Sequence, residues 1–174
     1  MRDDARAKAA IEILDNFLKG SNLNNTFEEW SKNNKFAGSG DREKIRDIVF
    51  DILRVRNTLE APLGHHKIAE SGRSLMVSYI LFKSIEIEDI FTGSKYGPPE
   101  LNNNEQKMKE KFVLIKNKFF NNQYNIPAFL VEDLKHSLSE KFENIMSVLG
   151  NRAPTFIRVN IKKTNLFSVS EKLK

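Results

Sequence analysis

Several arrangements of residues in this 174-residue sequence could do chemistry. The first is a run of arginines, Arg42, Arg46, Arg54 and Arg56, interleaved with Glu43, Asp47 and Asp51 and set largely off the apolar stripe of a helix. Guanidinium groups so placed can neutralise phosphates, and the acids between them equally fit a salt-bridged solvent face. The second lies at 155–163, where Arg158, Asn160 and Lys162 alternate with Ile157, Val159 and Ile161 and have Phe156 beside them. A basic face with one aromatic suits RNA, the ring stacking on a base while the cations hold phosphates. Arg152 and Lys163 flank it and join the candidate RNA contacts. The third is Gly38-Ser39-Gly40-Asp41-Arg42, a glycine turn before a helix. It lacks the Walker spacing, and Asp41 would repel a phosphate, so it reads as a capping loop.

Other chemistries find little material. His65 and His66 are adjacent, so their rings diverge, and no acid or thiol stands at ligand spacing; they read as exposed loop residues. The acid pairs Glu28/Glu29 and Glu86/Glu88 sit on solvated faces, and nothing in the sequence brings two pairs together as general acid and base. There is no cysteine, which removes disulfides, thiolate zinc sites and cysteine nucleophiles and is compatible with a reducing cytoplasm. By its own residues the stretch does not read as an enzyme, and it offers no metal or cofactor site. No apolar run approaches the roughly 20 residues of a membrane span, and Met1-Arg2-Asp3-Asp4 does not open a signal peptide. The expectation is a cytoplasmic protein with no membrane contact.

The charge is unevenly spread. The chain carries 28 Lys+Arg against 23 Asp+Glu, a net +5. After Gly150 stand six basic residues and one acid, whereas residues 1–149 balance at 22 against 22. A neutral body with a basic end fits contact with a polyanion through that end. A short tail of fluctuating composition would give the same count.

The elements that must carry these residues are mostly helices. In Arg6–Lys19 the apolar positions Ala10, Ile13, Leu14, Phe17 and Leu18 follow the i, i+3, i+4 pattern, with Gly20 at the C-cap. Thr26 and Glu29 form a T-x-x-E capping box for a short helix burying Phe27 and Trp30. Asp41 is the expected N-cap of a helix whose stripe is Ile45, Ile48, Val49, Ile52 and Leu53; Leu59 ends it, and Pro62 and Gly64 close the segment. Arg73–Ile85 is apolar nearly all round and belongs at a bundle centre. Asn102-Asn103-Asn104 caps a helix with Met108, Phe112, Ile115 and Phe119 on one face. Pro127 opens a helix through Leu138, and Phe142–Leu149 forms another, ending at Gly150. At Thr155–Lys163 the period becomes two, which predicts a strand, and Ser168 starts a further helix. The expected fold is therefore an all-α helical bundle followed by the start of a small α/β domain: residues 1–123 the bundle, 124–150 linking helices, 151–174 the beginning of the second domain.

Ordered motifs along the chain carry a resemblance. Gly40-Asp41-Arg42 followed by Ile45, Val49-Phe50 and Ile52-Leu53-Arg54 resembles the D-R…V-x-x-x-L-R helix of NusB-like domains. Pro127-Ala128-Phe129-Leu130, then Arg152-Ala153-Pro154-Thr155 and Arg158-Val159-Asn160, is similar to the P-x-W-L…R-A-P-x-x-x-R-V-N signature of bacterial ribosomal RNA cytosine-C5 methyltransferases of the Sun (Fmu, RsmB) type. Ala10–Asp15, Lys35–Ser39, Gly72-Arg73 and Phe91-Thr92-Gly93 resemble further segments of one branch of that family. The chain departs from the pattern at Phe129, where Trp is usual, and at Asp51, where many relatives have Gly. The resemblance implies a NusB-like bundle that recognises ribosomal RNA and joins a catalytic domain of the same enzyme. That domain would bind S-adenosylmethionine and use two cysteines; no catalytic or cofactor residue falls in these 174 positions. A stand-alone NusB-like module binding RNA or a partner protein is the alternative.

Overall fold

The computed structural model describes residues 1–120 and 124–173, with the side chains of 113–120 outside the description. The described residues form α1 (Asp3–Leu18), α2 (Leu23–Asn33), α3 (Ser39–Arg54), α4 (Arg56–His65), α5 (Gly72–Lys83), α6 (Asn103–Phe120), α7 (Val131–Leu138), α8 (Phe142–Leu149) and α9 (Leu166–Leu173), with single 3-10 turns at Ile87–Asp89, Ala128–Leu130 and Ser139–Lys141. Helix α5 is the axis of the bundle. It is buried from Ser74 to Leu81, and α1, α3, α4 and α6 pack around it, with α2 laid on α1. Its apolar residues on every face leave no side for water, which is why it lies at the centre. Ile13, Leu14, Ile45, Val49, Ile52, Leu59, Leu75, Met76 and Met108 close the core around it.

Two close approaches fix α5. A Cβ on Gly72 would stand 2.3 Å from the Ile11 carbonyl oxygen and 3.0 Å from the Asp15 nitrogen, so only glycine lets the start of α5 touch α1. The Asp15 carboxylate accepts the Gly72 N–H at 2.6 Å. Arg73, the next residue, donates through Nε and Nη2 to the two carboxylate oxygens of the buried Glu105, each at 2.8 Å. It also reaches the Pro99 and Glu100 carbonyls and lies over the Phe91 ring, so one guanidinium ties the 91–101 connection to α6. Glu105 and Asn102 cap α6 reciprocally: Asn102 Oδ1 accepts the Asn104 and Glu105 N–H groups, and Glu105 Oε2 accepts that of Asn102.

Several local expectations are corrected. Asn22, not Thr26, caps α2, accepting from Asn24 and Asn25; Thr26 is buried inside and its hydroxyl donates to the Asn22 carbonyl. Gly38 holds the N-cap of α3, with Asp41 in the first turn. The long helix through Leu59 breaks at Val55, and Pro62, expected to close the segment, sits inside α4. Pro62 has no N–H to give the Thr58 carbonyl, and the Ser78 hydroxyl donates to the adjacent Leu59 carbonyl at 2.8 Å. The Thr58 N–H, in the first turn of α4, is met by Asn125 Oδ1 at 3.1 Å, and Asn57 donates to the Ile126 carbonyl, anchoring the chain after α6. Ile115 and Phe119 lie outside the described side chains.

The largest correction concerns 151–174. Among the described residues there is no strand, and therefore no sheet and no α/β domain. Residues 152–160 are irregular and almost wholly exposed, and 161–163 form a turn leading to α9. Alternation is necessary for a half-buried strand and not sufficient. A strand needs a neighbour to receive its N–H and C=O groups, and no second strand is present to pair with it. Among the described residues no helix is long and apolar enough to cross a membrane.

Candidate nucleic-acid interface

The expected arginines do not share one face. Arg42 and Arg46, one turn apart on α3, line a cleft of about 780 Å³ between α2 and α3, together with Phe27, Lys35, Asp47 and Arg152. Arg46 lies over the Phe27 ring at 5.2 Å, which holds its guanidinium at the cleft wall. Phe27 in turn stacks on Phe50 at 6.2 Å between centroids. Arg42 extends toward the Ser31 carbonyl at 3.5 Å. Arg152, from beyond α8, enters the same cleft and donates to Asp47 at 3.1 Å. The lining thus holds four cations (Lys35, Arg42, Arg46, Arg152) against Glu43 and Asp47, beside an aromatic ring. Such a lining attracts phosphates; Phe27 itself is buried and serves to seat the Arg46 guanidinium.

Arg54 and Arg56 are placed elsewhere and are engaged. Arg54 pairs with Asp51 at 2.5 Å, and the second oxygen of Asp51 accepts from the Tyr79 hydroxyl at 3.4 Å. Asp51 therefore has a structural partner set of its own. Burial first, and the Asp51 carboxylate second, push the Tyr79 phenol up to about 12. Arg56 starts α4 and is gripped by Glu70 at 2.6 and 2.7 Å and by Glu60 at 2.7 Å. Arg56 draws the Glu70 carboxyl down, while burial and then the neighbouring Glu70 raise Glu60. This carboxylate pair escaped the sequence reading because a helix end separates its members.

Asp41 is turned away from the cleft chemistry. Its carboxylate accepts from the Met1 ammonium at 3.0 Å and from Arg6 at 3.0 and 2.8 Å, and these bonds, the Met1 one first, hold its pKa below the ordinary aspartate value. Arg158, Asn160, Lys162 and Lys163 project from the exposed segment before α9. The Asn160 side chain accepts the Lys162 N–H at 3.1 Å, so it shapes the turn that carries the lysines. Phe156 beside them is 90% exposed.

The remaining candidates do not assemble a reaction centre. His65 ends α4, its ring edge-on to His66 at 5.1 Å, and His66, expected to be exposed, is half-buried with Nε2 enclosed and without a hydrogen-bond partner. Burial pushes the His66 imidazole pKa down. Among the described residues no group of three or more metal-capable side chains forms. Of the two acid pairs, Glu28 faces Lys32 and Glu88 is bound by Lys109. Lys35, Phe27 and Asp47 were not among the expected site residues. The sequence placed Phe27 only as a buried residue of its short helix, which it is. The chain matches no protein-family model, no curated protein and no solved structure.

Proposed function

We propose that this bundle is an RNA-binding module and that it serves as the N-terminal recognition region of an S-adenosylmethionine-dependent ribosomal RNA cytosine-C5 methyltransferase. The observation that carries the RNA reading is the convergence of Arg42, Arg46 and Arg152 on one cleft beside Phe27. Phosphates of an unpaired strand sit against these cations and Lys35. Arg158, Lys162 and Lys163 extend the positive surface along the exposed segment, where the net charge of the chain is concentrated.

The methyltransferase reading rests on the ordered motifs, and one contact supports it. The D-R helix and the R-A-P segment, distant in sequence, are joined by the Asp47–Arg152 pair. Methyl transfer then belongs to a part of the enzyme outside these 174 residues, since none of them is cysteine. A second reading, a protein-docking module, draws on the exposed Val148 and Leu149 of α8 and Leu166 and Phe167 of α9. In the favoured reading the catalytic domain of the same enzyme covers them.

The test is direct binding of ribosomal RNA by the full 174-residue chain and by the triple variant Arg42→Ala/Arg46→Ala/Arg152→Ala. The reading expects measurable binding, at least tenfold weaker in the variant. No binding by the parent chain, or equal binding by the two, overturns it.

A further inference from the structure

A second groove lies beside the cationic cleft. It has a volume of about 180 Å³ and is floored by Ala5, Ala9 and the indole of Trp30. Two aromatic rings stand at its edges and face water: Phe36, 73% exposed, from the α2–α3 connection, and Tyr96, 61% exposed, from the 91–101 connection. Lys8 and Lys95 line it with one acid, Glu12. Lys95 lies 5.5 Å from the centre of the Tyr96 ring, and Lys8 donates to the Lys95 carbonyl at 3.2 Å, which ties the two sides together.

Exposed aromatic rings lose free energy to water unless something covers them. Ala5 and Ala9 present small side chains along the floor, and Trp30 lies nearly buried beneath it. What covers the rings is indicated by the neighbouring residue. Lys35 lines the cationic cleft and Phe36, next in sequence, lines the aromatic groove, so the loop between α2 and α3 is the shared wall of both. A strand whose phosphates lie against Lys35 and Arg42 crosses that wall directly onto Phe36. Alternation of cations with aromatic faces is the physical pattern for single-stranded nucleic acid, because every base has a π-face whatever its identity.

We infer that the groove between Phe36 and Tyr96 binds unpaired nucleobases of the same RNA strand whose backbone occupies the α2–α3 cleft. The inference rests on the RNA reading above. Phe36 and Tyr96 stack on bases, Lys8 and Lys95 meet the phosphates that follow, and Glu12 sets a limit to the positive surface on that side. The site extends the contact from phosphate neutralisation to base stacking and confers preference for unpaired over duplex RNA, whose bases are already stacked.

The experiment uses the full chain and three probes: a 12-nucleotide oligouridylate, an abasic ribose-phosphate strand of equal length, and a duplex. Trp30 is the single tryptophan and lines this groove, so its emission reports on occupancy there. The expected result is that oligouridylate changes Trp30 emission whereas the abasic strand binds without changing it. The double variant Phe36→Ala/Tyr96→Ala, altered only at exposed positions, keeps the parent's circular dichroism. It should lose about tenfold or more in oligouridylate affinity, with the salt dependence unchanged. Equal affinity of the double variant and the parent overturns the inference and leaves the groove to a protein partner, while the cleft reading stands on its own arginine variants. If Phe36 and Tyr96 matter and Arg42 and Arg46 do not, base stacking in the groove stands, and the cleft reading and the claim of one strand shared with it both fall. Absence of any RNA binding overturns both.

Discussion

Arg152 donates to Asp47 at 3.1 Å across 105 positions of sequence, and this contact brings the segment after α8 onto the face of α3. Both partners are largely exposed, 68% and 42%, so the pair adds little to stability, within about 1 kcal/mol. Its consequence is placement: it brings a third guanidinium to Arg42 and Arg46. Asp47 also subtracts a charge from the cleft that phosphate would enter. Asp47→Asn keeps an amide oxygen to accept from Arg152 and removes the charge, so it should bind ribosomal RNA roughly threefold more tightly at moderate salt, with unchanged thermal stability. Weaker binding by this variant would mean that Arg152 needs Asp47 to stay in the cleft.

Arg73 and Glu105 make a different kind of pair. Glu105 is 5% exposed and Arg73 24%, and the bond is bidentate. Arg73→Met leaves a buried carboxylate unpaired and should cost about 3 kcal/mol in urea unfolding. Adding Glu105→Gln should restore part of that loss, because the remaining partner no longer carries a charge. A loss in the double variant equal to the sum of the two single losses would show that the pair is not coupled.

Gly72 is the contact point of α1 and α5. Gly72→Ala places a methyl 2.3 Å from a backbone oxygen, where no side-chain rotation relieves it. The helices must separate, and the expected cost is about 2 kcal/mol or more in the same unfolding measurement. A stabilised alanine variant would contradict the packing described here.

Two ionisable groups give stability curves of opposite sign. The folded-state pKa of Asp41 is depressed by Met1 and Arg6, so its contribution is present above the unfolded aspartate pKa and disappears as pH falls through the folded value. The parent should lose stability more steeply than Asp41→Asn below about pH 4, the two curves running parallel above about pH 5. Tyr79 is raised to about 12, so its contribution is intact below the unfolded tyrosine pKa and is lost as pH rises from about 10 toward 12. Tyr79→Phe should flatten the alkaline limb.

Much of the bundle is legible in the sequence because its signals are local. The unbroken apolar surface of α5 announces a central helix, and the run Asn102-Asn103-Asn104 announces the start of α6. The missed features depend on partners. Thr26 and Glu29 have the right spacing for a box, yet Asn22 enters the cap first and draws Thr26 inside. The 155–163 alternation looks like a strand, and no second extended chain is there to complete it. At the site, Arg42 and Arg46 were legible as an i, i+4 pair. Arg152 joining them, and Phe36 meeting Tyr96 across a groove, are consequences of tertiary folding that spacing does not encode. Arg54 and Arg56 had the same sequence signature as Arg42, and only the positions of Asp51, Glu60 and Glu70 distinguish them.

The most direct measurement is the salt dependence of ribosomal RNA binding by the full chain. Plotted as log affinity against log salt, each phosphate neutralised on an unpaired strand adds about −0.7 to the slope. The account predicts that removing Arg42, Arg46 and Arg152 together makes the slope shallower by about 2, whereas removing Arg54 and Arg56 leaves it in place. Equal slopes for the parent and the triple variant would contradict the claim that this cleft holds the RNA backbone.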